Sequence, residues 1–441
     1  MRRGMSGVAN VDARPGGRMA SAWWTVAALM LLYVVSYLDR TIVTLLVEDI
    51  KRDLSLNDLE ISIFMGPAYA VSYAIFGLGF GWAADRFSRR WVIFTGLTIW
   101  SFAASACGLA QNLIHLILAR LGVGAGESAL SPAGYAMISD SFPKERLTFA
   151  MSVFVMGSVI GSALSMGIGG LLIAIIPEHG LVVGNWGPIA AWRVVLLVTG
   201  VPCLLVSWIV FTLREKPRGP ATATVPLPAG AVWRQMRGNA RFYGGHFIGF
   251  SLNSLCGSAL VAWIPAYMSR RYGWNAADIG LTLALVMSVA TVSGLLLSGA
   301  AVDWWFRRGR RDAHLIVFAI TGLSQAALVA VAMTVADPTT FLLLITLIFM
   351  PTMFSGAAAS SLQIMTPPEL RGTISSVYIM IFSLIGVGGG PAVAAGLTAI
   401  LFADQMMIGW GIAVTFAIFM PLSGLCLLAA ARPMRERLAG A

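Results

Sequence analysis

The chain has 441 residues, 58% of them hydrophobic and only 11% charged, with a mean hydropathy of +0.80. This excludes a soluble globular protein, and solid apolar runs of about 20 residues exclude a β-barrel, leaving a polytopic helical membrane protein. A net charge of +10 does not argue for nucleic acid, because no nucleic-acid motif accompanies it and cytoplasmic loops of membrane proteins gather Lys and Arg.

The N-terminal tail carries Arg2, Arg3, Arg14 and Arg18, then an apolar run too long and aromatic for a signal-peptide core; it reads as an uncleaved first span. Twelve spans are expected, near 22–46, 59–84, 91–110, 113–139, 146–176, 191–213, 240–269, 277–302, 313–336, 339–365, 372–402 and 406–431. With the N-terminus placed in the cytoplasm, 23 of the 30 Lys and Arg fall in cytoplasmic segments and five on the opposite side. That bias predicts both termini inside. The longest polar break, 214–239, is rich in proline and arginine. It predicts a cytoplasmic linker between an N-terminal six-helix half, 1–213, and a C-terminal half, 240–441. Prolines 67, 132, 265, 351 and 391 interrupt spans, and Gly386–Pro391 marks the strongest break.

The fourth span holds Arg120 and Glu127, the first Asp39 and Arg40. A charge at the centre of a span costs about 2.5–3.5 kcal/mol on insertion scales, so such residues face a partner or a cavity. Seven residues are about 700° of helix rotation and about 10 Å of rise, which puts Arg120 and Glu127 on one face, two turns apart. Each then needs a partner elsewhere, and Asp39-Arg40 supplies both signs. Asp39 and Glu127 are the candidate proton carriers; Arg120 and Arg40 are their charge partners and candidate holders of a substrate head group. Tyr33, Tyr37, Ser128, His246, Phe250 and Asn253 are candidate cavity residues. For His246 and Asn253, which share a face with Phe250 between them, interhelical hydrogen bonding is the competing reading.

Four cysteines (Cys107, Cys203, Cys256, Cys426) and four histidines are dispersed without metal spacing, so no cofactor, metal or disulfide framework is expected. Enzyme motifs of the H-E-x-x-H, G-x-S-x-G and phosphate-loop kinds are missing, which argues against an enzyme.

Residues 81–90 (Gly81, Asp85, Arg86, Arg89, Arg90) and 299–308 (Gly299, Asp303, Arg307, Arg308) both read G-x-x-x-D-x-x-x-R-R, each after the second span of its half. The first copy resembles the loop 2–3 signature of the major facilitator superfamily, and the likeness covers the whole chain. It implies an all-α membrane protein of twelve transmembrane helices in two pseudo-symmetric six-helix bundles, working as a monomer by alternating access. It also implies a cytoplasmic gate of Gly81, Asp85, Arg86, Arg89 and Arg90, with Asp140 as acidic neighbour and Asp303 and Arg307 as the second copy. In the family, the Asp caps a helix end and the basic residues pair with acids across the gate.

A narrower resemblance is to the spinster-like branch, carried by Asp39-Arg40, the 84–90 loop and Arg120-Leu121-Gly122-Val123-Gly124-Ala125-Gly126-Glu127-Ser128. It implies a proton-coupled carrier of a small amphipathic, lipid-like solute of lysophospholipid or sphingolipid type, surrounded by membrane lipids and with no nucleic-acid partner. A bacterial inner membrane is the expected location. A carrier of small organic anions or sugar acids, or a drug efflux pump, is the alternative. Residues 161–170 lack the proline of the antiporter motif G-P-x-x-G-G, which sets the chain apart from typical multidrug antiporters.

Overall fold

The structure, a computed structural model, describes residues 15–142, 144–177, 181–182, 188–215, 230–352, 354–367 and 370–439. Eleven helices among them are long and apolar enough to cross a membrane, from Met19–Leu45 to Gln405–Leu438. The tenth crossing is built from two shorter helices, Pro338–Phe349 and Ser355–Met365. Twelve crossings bring the first and last described residues, Pro15 and Ala439, to one side, here called the near end. The expected all-α fold holds apart from a two-residue antiparallel ladder, Leu181–Val182 with Pro188–Ile189. Residues 216–229 of the expected linker lie outside the described residues, as do Arg2, Arg3 and Arg14. Its last part is a helix, Ala231–Gly238, running almost directly into the seventh span.

Four of the spans that begin at the far end carry their own caps; the sixth, which starts after Ala190, does not. Asn57 accepts the Glu60 N–H in a capping box, Asn112 accepts the His115 N–H, Asn275 that of Asp278, and Asp337 that of Thr340. Each satisfies an N–H that the first helical turn leaves without a partner.

Proline and its neighbours explain the interruptions. The fourth span, expected as one helix, is two: Leu113–Glu127 and Leu130–Ser141. Pro132 has no N–H for the carbonyl four residues back, at Ser128, and its ring crowds that carbonyl, so the helix breaks there. The tenth span breaks around Pro351, and Gln325 of the ninth donates to the freed Ile348 carbonyl at 2.7 Å. In the eleventh, no break opens at Gly386–Pro391. The helix widens into a π segment, Phe382–Gly388, and runs on as Gly389–Leu401. Neighbouring side chains take up its loosened carbonyls: Ser258 donates to Gly386 at 2.7 Å and Trp263 to Pro391 at 2.9 Å. In lipid, irregular backbone persists only with such help.

The spans form two six-helix bundles that meet along two seams, the second span against the eleventh and the fifth against the eighth. Both seams depend on glycine. A Cβ on Gly66 would sit 2.4 Å from the Gly388 oxygen, and one on Gly280 would sit 2.7 Å from the Met166 oxygen and 2.9 Å from the Gly170 Cα. All these residues lie in the far halves of their helices.

Candidate functional site

The first and fourth spans bring the four intramembrane charges together in crossed pairs. Consecutive helical residues are about 100° apart, so Asp39 and Arg40 reach different neighbours. Asp39 faces Arg120, with Nη1 to Oδ2 at 3.9 Å, and Arg40 faces Glu127, with Nη1 to Oε1 at 4.0 Å. Both separations exceed hydrogen-bonding range. Closer contacts come from neutral groups. Ser36 donates to Glu127 Oε1 at 2.6 Å, the Trp100 indole to Asp39 Oδ2 at 3.3 Å, and Arg120 Nη2 to the Arg40 carbonyl at 3.3 Å. Aromatic faces complete the setting: Arg40 lies 4.3 Å over Tyr69 and 5.2 Å over Tyr37, and Arg120 5.3 Å over Phe64. Asp39, Arg120 and Glu127 are 2–3% exposed, whereas the Arg40 side chain is 20% exposed. Among the described residues, Glu127 Oε2 and Arg120 Nε have no hydrogen-bond partner. At about 4 Å and an effective dielectric near 20, an ion pair is worth about 4 kcal/mol before desolvation. These pairs neutralise each other yet remain loose enough for another group to compete.

A cavity of about 370 Å³ lies between the two bundles. Arg40 and Arg120 line it with Tyr37, Thr41 and Thr44 on one side; Asn253, Ser254 and Ser258 face it from the seventh span, with Phe354, Phe382 and Met287 supplying an apolar wall. Asp39 and Glu127 are not in the lining. The cations thus meet whatever occupies the cavity, and the carboxylates stand behind them.

The other expected cavity residues divide. Tyr37 and Asn253 line it. Tyr33 stacks on Phe154 at 4.8 Å between ring centroids, and Ser128 turns back to the Ala125 carbonyl at 2.7 Å, at the helix break. His246 contacts the Ala358 carbonyl at 2.9 Å and Ser361 Oγ at 3.1 Å, inside a cluster with Phe242, Phe247, Phe250 and Tyr378. Phe250 stacks on Phe354. Tyr33, Ser128, His246 and Phe250 are therefore corrected from cavity wall to packing: none is in the lining, and each makes the contacts just named within protein, although His246 Nδ1 keeps no partner among the described residues.

At the near end, the loop charges pair within a bundle. Arg89 pairs with Asp140, and its N–H donates to Glu215 Oε1 at 2.8 Å; Ser88 donates to Glu215 Oε2 at 2.5 Å, and Arg90 lies 3.5 Å from it. Arg86 lies over Trp82 at 4.3 Å. Gly81 has open space where a Cβ would go, and the Asp85 side chain lies outside the described residues. In the second copy, Arg307 bonds the Asp303 main-chain carbonyl at 3.3 Å. The paired acid there is instead Asp312, fully buried and in contact with Arg435 and Arg310. In this state the described loop charges pair within each half, Arg89 with its expected neighbour Asp140, because the two bundles are knit at the other end.

That knitting was not anticipated from the sequence. Arg270 of the seventh span grips Asp58 with two nitrogens, each at 2.7 Å, Glu48 at 2.6 Å and the Gln405 carbonyl at 2.6 Å. Lys51 pairs with Asp58 and donates to Gln405 Oε1 at 2.7 Å. A bidentate guanidinium on a buried carboxylate is among the stronger charge-assisted contacts. A readable signal existed: the first far-end loop region is acid-rich (Glu48, Asp49, Asp53, Asp58, Glu60), while Arg270-Arg271 face it from the other half. Glu215, which caps the third span from outside, was hidden among the basic residues of the linker.

Residues 29–391 match the profile of the Major Facilitator Superfamily. The sequence is 26% identical over 425 residues, 94% of each chain, to an MFS-type efflux pump of Mycolicibacterium smegmatis. It is 24% identical over 391 residues to protein spinster homolog 1 of Xenopus laevis, covering 83% of this chain and 71% of that one. A solved bacterial homolog of the human lysosomal transporter Spinster, inward-facing and unoccupied, aligns with a TM-score of 0.75 and 22% identity over 94% of this chain and 96% of that one.

Proposed function

Because the chain belongs to the Major Facilitator Superfamily and resembles its spinster-like branch, we propose that this transporter moves an amphipathic anion of lysophospholipid or sphingolipid type, coupled to protons. The carrying observation is the arrangement of the centre: two arginines face the cavity, with two carboxylates loosely paired behind them. With all four groups ionised the centre sums to zero and holds an anion weakly. When Glu127 takes a proton, Arg40 loses its counter-charge and the centre becomes net positive. Proton and anion then favour each other's binding, by the same factor in both directions. Alternating access carries the neutralised pair across, and Glu127 releases its proton when Arg40 re-engages it. Asp39 holds Arg120 in place and is the second candidate proton carrier. The apolar wall of Phe354, Phe382 and Met287 suits a hydrophobic body attached to the charged head.

Two halves, 1–213 and 240–441, joined by the 214–239 linker, rock against each other in this reading. Both termini lie in the cytoplasm of a plasma (inner) membrane, as the basic-residue bias supports, and the protein acts as a monomer. The far end is then external. The contacts of Arg270 with Asp58 and Glu48 make this an outward-closed state. Asp85, Arg89 and the other loop charges form the inner gate when the halves rock the other way.

A small sugar acid is the second reading, favoured by the cavity's volume, which lies at the small end for ligand sites. Proteoliposome flux decides. Wild type under an imposed pH gradient should accumulate a lysophospholipid faster than a hexuronate. Glu127→Gln should fold, bind the anion without pH dependence and lose gradient-driven accumulation. Accumulation by Glu127→Gln at the wild-type rate sinks the coupling; faster hexuronate flux selects the second reading.

A further inference from the structure

In the C-terminal half, most buried polar side chains make at least one hydrogen bond, although His246 Nδ1 and Gln325 Oε1 keep no partner among the described residues. His246 bonds Ala358, Gln325 bonds Ile348, Trp263 bonds Pro391, Ser258 bonds Gly386 and Ser423 bonds Gly249. Each repairs a backbone group or ties two spans. Asn253 does neither. It is 1% exposed, and among the described residues neither its Nδ2 nor its Oδ1 meets a protein hydrogen-bond partner. Ser251 Oγ is likewise without a partner, but it does not line the cavity; Asn253 does.

A buried carboxamide with both atoms unpaired is costly, and leucine, close to it in shape, avoids the cost altogether. The position also carries geometric information. Asn253 continues the face of His246 and Phe250, and this face leaves the aromatic cluster and enters the cavity at Asn253. Ser254, Gly257 and Ser258 lie beside it on the lining, and Arg40 and Arg120 are on the cavity wall of the other half. A carboxamide presents one acceptor and two donors side by side. Its complement is a neutral group that accepts and donates at once: an amide or a hydroxyl.

We infer that Asn253 is a specificity-determining residue which reads a neutral donor–acceptor group, an amide or a hydroxyl, in a solute whose anionic head is held by Arg40 and Arg120. This rests on the anion reading above and names what else the solute must carry. A site built to hydrogen-bond a polar group rejects the analogue lacking it, because its own buried groups are then left unpaired. The same logic makes the two halves readers of different things, charge in one and hydrogen bonding in the other.

The test uses full-length protein in lipid nanodiscs and four probes: N-hexanoylglycine (amide), 3-hydroxyoctanoate (hydroxyl), octanoate (neither) and the uncharged methyl ester of N-hexanoylglycine. Binding is followed by titration calorimetry. Wild type should bind the amide or the hydroxyl acid about tenfold more tightly than octanoate, the worth of one hydrogen bond that would otherwise go unmade. Which of the two is preferred identifies the group. Asn253→Leu should bind octanoate more tightly than wild type, because no carboxamide is left unpaired, and lose the preference, with unchanged or higher thermal stability. A preference that survives in Asn253→Leu, or its absence from wild type for both acids, overturns the inference. The methyl ester separates the two proposals. If it binds as well as the acid, and still better to wild type than to Asn253→Leu, the anion reading fails while the role of Asn253 stands.

Discussion

The two halves share one architecture but solve the problem of buried polarity in opposite ways. The N-terminal bundle buries full charges, Asp39, Arg120 and Glu127, and balances them across two spans at 3.9–4.0 Å. The C-terminal bundle keeps its fully buried Asp312 at the near end; in the middle of its spans it buries neutral groups and anchors them at hydrogen-bond distance on backbone carbonyls, as with Gln325 on Ile348 at 2.7 Å. A hydrogen bond to a carbonyl is short-ranged and geometrically fixed, so it rigidifies what it joins. A loose ion pair in low dielectric keeps much of its energy over several tenths of an ångström and can exchange partners. On the function proposed above, the moving chemistry belongs in the first bundle and the fixed scaffold in the second.

The comparison breaks most sharply at Arg120. Arg120→Leu strands the buried Asp39 carboxylate and should cost about 3–5 kcal/mol, whereas replacing Asp39 and Arg120 together by leucine should restore most of the stability. Thermal melts in detergent read both. If the single variant melts like wild type, the first bundle does not depend on charge balance.

Arg270 is where the halves exchange charge. Arg270→Gln removes the cross-bundle contacts to Asp58 and Glu48 and should favour parting of the far end by about 2 kcal/mol or more. Spin labels at the exposed positions Leu59 and Phe402 should show longer, broader distances in that variant. Unchanged distances assign closure to the glycine seams instead.

In the second bundle, Ser361→Ala takes one of two contacts from His246. About 0.5–1.5 kcal/mol of stability should be lost, with flux within about twofold of wild type. A collapse of flux would put moving chemistry in the scaffold half.

The smallest effect is at Asp337. Hydrogen bonds from the Thr340 hydroxyl and N–H hold its carboxyl below the usual carboxylate range. A depressed folded-state pKa means the stabilisation is complete above the unfolded value and fades as pH falls through the folded one. Melts from pH 6 downward should show wild type and Asp337→Ala converging at acid pH.

Much of the centre was legible because membrane insertion makes charge conspicuous. Arg120 and Glu127 at a spacing of seven had to seek partners elsewhere, and Asp39-Arg40 offered them. The crossing of the pairs was not legible, nor was the retreat of both acids behind the arginines, because one-dimensional spacing fixes a face and not the depth at which a side chain ends. His246 shows the same limit. Its helical face was readable; whether this face met a cavity or an aromatic cluster depended on Phe354 and Tyr378, more than 100 residues away.

Sequence alone determined the helical membrane class, the twelve crossings, the two-bundle fold and the residues too costly to be idle, since hydropathy and the energetics of charge in lipid act locally along the chain. Only the tertiary structure decided which end is closed, through Arg270 meeting Asp58 and glycine meeting glycine, and which polar groups face the cavity. Those outcomes depend on contacts between helices of different halves, and no local property of either helix contains them.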